Sequence, residues 1–80
     1  MMIEVRVPQQ GLTTETVKIV RWLKNPGDAV REGEPLAEFE SEKAELEIES
    51  PAAGKLARIL VEEGAEADIG VPVALIETAG

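Results

Sequence analysis

Apolar and polar residues alternate at period two over most of the chain, in short runs. From Met2 to Val7 the residues Ile3, Val5 and Val7 are separated by Glu4 and Arg6, the pattern of a strand with one buried face. Thr16 to Leu23, TVKIVRWL, is rich in β-branched residues and becomes apolar toward both faces at its end, which predicts a second strand. The turn-rich stretch PQQGLTTE lies between them. NPGD, Asn25 to Asp28, sets Pro second and Gly third, the order that a type II turn favours. Further breaks at REGEP, SPAAG, EEGAE and IGVP leave no uninterrupted window for an amphipathic helix. The pattern predicts an all-β chain.

A repeat organises these strands. Val17 to Ser41 overlays Gly54 to Thr78 without a gap: Lys18, Arg21, Leu23, Gly27, Gly33, Pro35, Ala37 and Glu40 recur as Lys55, Arg58, Leu60, Gly64, Gly70, Pro72, Ala74 and Glu77. Each copy reads as strand, turn, short strand, turn, strand. Neither copy could bury both faces of its strands alone, and two copies facing each other could. The expected fold is therefore a flattened barrel or sandwich of two sheets with internal pseudo-two-fold symmetry, with residues 1–80 as one domain built on repeats 17–41 and 54–78.

Composition narrows the function classes. A chain of 80 residues hides only about 60% of the surface that its unfolded form exposes, which leaves little room for a deep enzyme pocket. With no Cys and no His it has neither a disulfide framework nor the usual zinc ligands, so packing must hold it. Sixteen acids against eight bases give a net charge of −8, and Trp22 and Phe39 are the only aromatics. Nucleic-acid binding needs cationic charge and stacking faces, so it is not expected. No apolar run approaches a membrane span and no targeting segment stands at the N-terminus, so a soluble, cytoplasmic chain is expected. Trp22 reads as a packed strand residue, and the glycines as turn formers with no helix start behind them. No catalytic constellation emerges.

One lysine stands out. FESEKAELEIES, Phe39 to Ser50, holds five glutamates and the single base Lys43, at the junction of the two copies. Ala37 and Phe39 lead in on one face; Ala44, Leu46 and Ile48 lead out at period two, so Ser41 to Ala44 must be a tight hairpin. Glu-Lys is a poor choice for a two-residue hairpin turn, which favours Asn-Gly or Asp-Gly; a four-residue type I turn accepts it and would hold the lysine stem away from both sheets. Lysine amines are protonated at neutral pH, and neighbouring carboxylates favour that form, so Lys43 is unsuited to act as a nucleophile by itself. Its setting is that of a lysine that another enzyme finds and acylates. The plainer alternative is a solvated edge hairpin in which Lys and Glu only blunt strand pairing.

At these residues the chain resembles the biotinyl/lipoyl attachment domains, and more closely the lipoyl domains of 2-oxo acid dehydrogenase complex acyltransferase components. RWLKNPGDAV, EGEPLAEF, ESEKA and then SPAAG match the family's spaced motifs in order over nearly the whole chain. Ser41 and Glu42 stand where Thr-Asp is commoner, keeping a hydroxyl and a carboxylate, and ESEKA is also similar to the segment of the glycine cleavage carrier protein. The resemblance implies that Lys43 receives lipoic acid in amide linkage, with Glu40, Ser41, Glu42 and Ala44 as recognition residues. It implies that Gln9, Gln10, Gly11, Leu12, Thr13 and Thr14, in the loop beside the modified hairpin, help partner enzymes choose their carrier.

The implied partners are a lipoate ligase or lipoyl transferase, a thiamine-dependent 2-oxo acid decarboxylase, the dihydrolipoamide acyltransferase core and dihydrolipoamide dehydrogenase. The domain would ferry acyl groups and reducing equivalents on a swinging arm, with no catalysis of its own, as part of a multienzyme complex. Glu40, Glu45, Glu47 and Glu49 could steer it toward basic active-site mouths. Biotin carriers share this fold but place Met on each side of the lysine, where this chain has Glu42 and Ala44; a biotin carrier of a carboxylase and an unmodified sandwich interaction domain are the alternatives.

Overall fold

Period-two alternation becomes strand throughout. The computed structural model describes residues 1–7, 16–41 and 44–78. Eight strands run in the order β1 (Met2–Arg6), β2 (Thr16–Trp22), β3 (Ala29–Val30), β4 (Pro35–Glu40), β5 (Glu45–Glu49), β6 (Gly54–Ile59), β7 (Glu66–Asp68) and β8 (Pro72–Glu77). They form two four-stranded antiparallel sheets, β1-β8-β6-β3 and β5-β4-β2-β7, and neither closes into a barrel. Among the described residues there is no helix. The all-β, two-sheet expectation holds.

The two sheets correspond residue by residue. Lys18, Ile19, Arg21 and Trp22 pair with Glu40, Phe39, Glu38 and Ala37; Lys55, Leu56, Arg58 and Ile59 pair with Glu77, Ile76, Leu75 and Ala74. A register shift falls at the same place in both, leaving Val20 and Ala57 as the extra residues. The bulge explains the end of TVKIVRWL: Val20 and Arg21 both face out, and Trp22 swings back to pack against the core. β1 on β8 repeats the register of β5 on β4, with Met2 opposite Glu77 as Glu45 is opposite Glu40. This is the pseudo-two-fold symmetry that the repeat requires.

The exchange of the short strands is not implied by the repeat. β3 belongs to the first copy but pairs with β6 of the second, and β7 of the second pairs with β2 of the first. Turns enforce the crossing. Asn25–Asp28 and Glu62–Ala65 are each closed by a bond from the fourth N–H to the first carbonyl, with Gly27 and Gly64 third at φ of 99° and 83°. The N–H of Gly27 then donates to the carbonyl of Leu56 at 2.7 Å, and that of Gly64 to Ile19 at 2.8 Å, in the opposite sheet. Each sheet therefore needs a strand from the other copy.

The inward side chains of both sheets make one core, in which Ile19, Phe39, Leu36 and Val5 are matched by Leu56, Ile76, Val73 and Ile48, all fully buried. Ser50 is the buried polar residue among those described; its hydroxyl donates to the Ala52 carbonyl at 2.6 Å, and its backbone bonds Gly33 and Glu34. These bonds set the course of SPAAG into β6. There Gly54 lies so close to β8 that a Cβ would overlap the Glu77 carbonyl oxygen. Gly54→Ala should cost about 1–3 kcal/mol, the usual range for overpacking, read as a lower denaturant midpoint at unchanged slope.

The turn Arg31–Glu34 is clasped by charge. Glu34 accepts from Lys24 Nζ at 2.8 Å and from the Arg31 N–H at 2.9 Å, and these bonds, the lysine's first, hold its carboxyl below the usual glutamate range. A carboxyl depressed in the fold stabilises above its unfolded pKa, and that contribution is lost as pH falls through the folded value. Glu34→Gln should therefore lower the melting temperature at neutral pH and flatten its fall toward acid, the two proteins converging below the folded pKa of Glu34; a melting temperature displaced equally at every pH would refute the clasp.

Candidate functional site

The site is built on the β4–β5 hairpin. Phe39 and Ala37 on β4 and Ile48 on β5 are buried, anchoring both strands from below, while Leu46 packs partly against the core. Glu40 pairs with Glu45, and one step further the Ser41 N–H donates to the Ala44 carbonyl at 2.8 Å. The Ser41 hydroxyl donates to the same oxygen at 3.3 Å. The tight hairpin expected between Ser41 and Ala44 is thus closed at its feet, with Ser41 half-buried and Ala44 exposed. Glu42 and Lys43, the two residues between, lie outside the described residues, as does the expected type I geometry. Gln9, Gln10, Gly11, Leu12, Thr13 and Thr14 also lie outside them.

The same closure recurs at the symmetry-related corner of the other sheet. The Thr78 N–H donates to the Met1 carbonyl at 2.9 Å, and the Thr78 hydroxyl to the same oxygen at 3.2 Å. A hydroxyl at Ser41 and Thr78 thus has a structural role as well as any role in recognition.

Beside the hairpin, the outer face of the sheet carries two charged rows. Glu45, Glu40, Lys18 and Glu66 lie in register across all four strands, and Glu47, Glu38 and Arg21 across three. Arg21 Nε meets Glu38 Oε1 at 2.6 Å. Glu40 opposite Glu45 and Glu38 opposite Glu47 are like charges on direct cross-strand partners, an arrangement that costs stability. Sequence reading singled out Glu40, Glu45, Glu47 and Glu49 but missed Glu38 and Glu66. Only the register brings those two onto the same face. Trp22 is half-buried, its indole N–H donating to the Val61 carbonyl at 2.8 Å, as a packed residue with a satisfied polar tip would be.

Comparison with known proteins places this geometry. The biotin/lipoyl family model, described as "Biotin-requiring enzyme", matches residues 3–76. The chain is 42% identical over its full length to the dihydrolipoyllysine-residue acetyltransferase component of the pyruvate dehydrogenase complex of Zymomonas mobilis, covering 18% of that protein. It is 36% identical over 96% of its length to the dihydrolipoyllysine-residue succinyltransferase component of the 2-oxoglutarate dehydrogenase complex of Bartonella vinsonii, covering 19%. The chain thus spans under a fifth of the length of these curated relatives. The lipoyl domain of the 2-oxoglutarate dehydrogenase complex of Azotobacter vinelandii superposes with a TM-score of 0.77 at 26% identity, covering 98% of this chain and 99% of that one. Two sheets in matched register, a closed β4–β5 hairpin and a family match over nearly every residue lead to one conclusion: the chain belongs to the biotinyl/lipoyl attachment family and has the fold of its lipoyl domains.

Proposed function

We propose that Lys43 carries lipoic acid in amide linkage and that the chain is the lipoyl carrier domain of an acyltransferase component in a 2-oxo acid dehydrogenase complex. The observation that carries this reading is the Ser41–Ala44 closure, which leaves two residues, one of them the lysine, in the connection between two anchored strands. Membership of the family and the names of the relatives support the choice of lipoate.

The attachment chemistry fits the residues present. It asks this chain only for a primary amine, which forms an amide with the lipoate carboxyl after ATP-dependent activation of that carboxyl by a ligase. When bound, the dithiolane supplies acyl and electron carriage. The chain's own part is positional. The Ser41–Ala44 bonds fix the feet of the hairpin, buried Phe39 and Ile48 hold both strands, and tethering raises the concentration of the arm at each partner's active site. The proposed partners are the ligase, a thiamine-dependent 2-oxo acid decarboxylase, the acyltransferase core and dihydrolipoamide dehydrogenase, in the cytoplasm, with no turnover by the carrier itself.

Intact mass and peptide mapping of the chain made with lipoate and its ligase test this reading. A lipoyl increment on Lys43 that takes up two thiol-blocking groups after reduction is the expected result. A biotinyl increment, or no increment beside a modified control, would refute it.

A further inference from the structure

The internal repeat supplies a control within the molecule for reading its surface charge. In the lysine-bearing sheet the two outer rows hold Glu45, Glu40, Glu66, Glu47 and Glu38 against Lys18 and Arg21, a net −3. The equivalent rows of the other sheet read Met2, Glu77, Lys55, Ala29 and Glu4, Leu75, Arg58, a net of zero. Flanking the rows, Glu49 and Asp68 are matched by Arg6 and Arg31. The backbone pairs that make these two rows are the same in both sheets, so strand geometry does not account for the difference. Nor does stability, since Glu40–Glu45 and Glu38–Glu47 are repulsive where the other sheet has Glu77–Met2 and Leu75–Glu4.

From this we infer that the outer face of β5-β4-β2-β7 is a docking surface for the enzyme that acylates Lys43, and that this enzyme presents a basic surface around its active-site mouth. The inference rests on the lipoyl reading above and names the surface that serves it. An enzyme acylating the bare amine works within a lysine side chain's length of the hairpin backbone, so its body must meet the row Glu45–Glu40 that adjoins Ser41 and Ala44. Enzymes acting on the far end of a mounted arm stand further off. Charge complementarity on such a rim acts chiefly on encounter, so its mark is a salt-dependent change in KM with kcat little altered.

The test is the rate of lipoylation by purified lipoate ligase with ATP and lipoate. It compares the parent chain with Glu45→Gln/Glu47→Gln and with the symmetry-related control Glu4→Gln/Glu77→Gln. The first variant should raise KM for the carrier about three- to tenfold at low salt, with the gap closing as salt is added. Its melting temperature should equal or exceed the parent's, which separates lost recognition from lost folding. The control should keep the parent KM. Equal KM for all three proteins, or equal losses in both variants, would overturn the docking surface while leaving the lipoyl reading intact. A parent chain that is not modified at all would overturn both.

Discussion

Replacing Phe39 by Ala should remove about 3–5 kcal/mol of folding stability, the usual cost of emptying an aromatic site in a closed core. Phe39 is fully buried between the sheets, opposite Leu46 on β5 and Ile19 on β2, so β4 loses its anchor to both neighbours at once. At about 0.05–0.15 kcal/mol per residue, an 80-residue chain has roughly 4–12 kcal/mol in total. The variant should therefore be marginal or largely unfolded at 37 °C. Denaturant titration against the parent checks this, and a loss under 1 kcal/mol would mean that the core can collapse around the gap. Because Phe39 stands two residues before Ser41, the variant should also be a poor substrate for modification, and that defect should recover in step with folding when stabilising osmolytes are added.

Lys43→Arg should abolish modification altogether while leaving the melting temperature within about a degree of the parent's. The guanidinium keeps the positive charge but stays protonated and is not acylated, so only the chemistry is removed. Moving the lysine one place along the hairpin should have the same effect, because it changes the place of the amine in the sequence relative to the Ser41–Ala44 bond. Mass spectrometry after incubation with ligase, lipoate and ATP reads both variants. Modification of either one at the parent rate would remove Lys43 from the proposed role.

Much of this was legible beforehand, for identifiable reasons. Alternation of Val5 and Val7 with Glu4 and Arg6, and of Ile48 with Glu47 and Glu49, follows from burial of one sheet face, which acts locally on sequence. The repeat gave the symmetry because each turn glycine recurs in register. Exchange of β3 and β7 was hidden because it depends on bonds from Gly27 to Leu56 and from Gly64 to Ile19, between segments far apart in the chain. The adjacent buried pairs Leu36–Ala37 and Val73–Ala74 likewise break the period-two rule, and the register shift beside Leu36 in the β4–β5 ladder shows why. For the site, the lysine and its flanks could be found by eye. The charged rows could not, since a carboxylate becomes a neighbour of Glu47 or of Lys18 only when the pairing is known.

The bond from Thr78 to Met1 repeats the Ser41–Ala44 closure at the other end of the two-fold pattern. A two-residue link across it would convert the chain into a ring in which every half-turn about the axis meets the same backbone. Circular permutants made from that ring, opened at the turn after Trp22 or the turn after Ile59, should keep the pairing of both sheets. Seen this way the protein is a closed loop of two like arcs, and Lys43 marks one of the two joints.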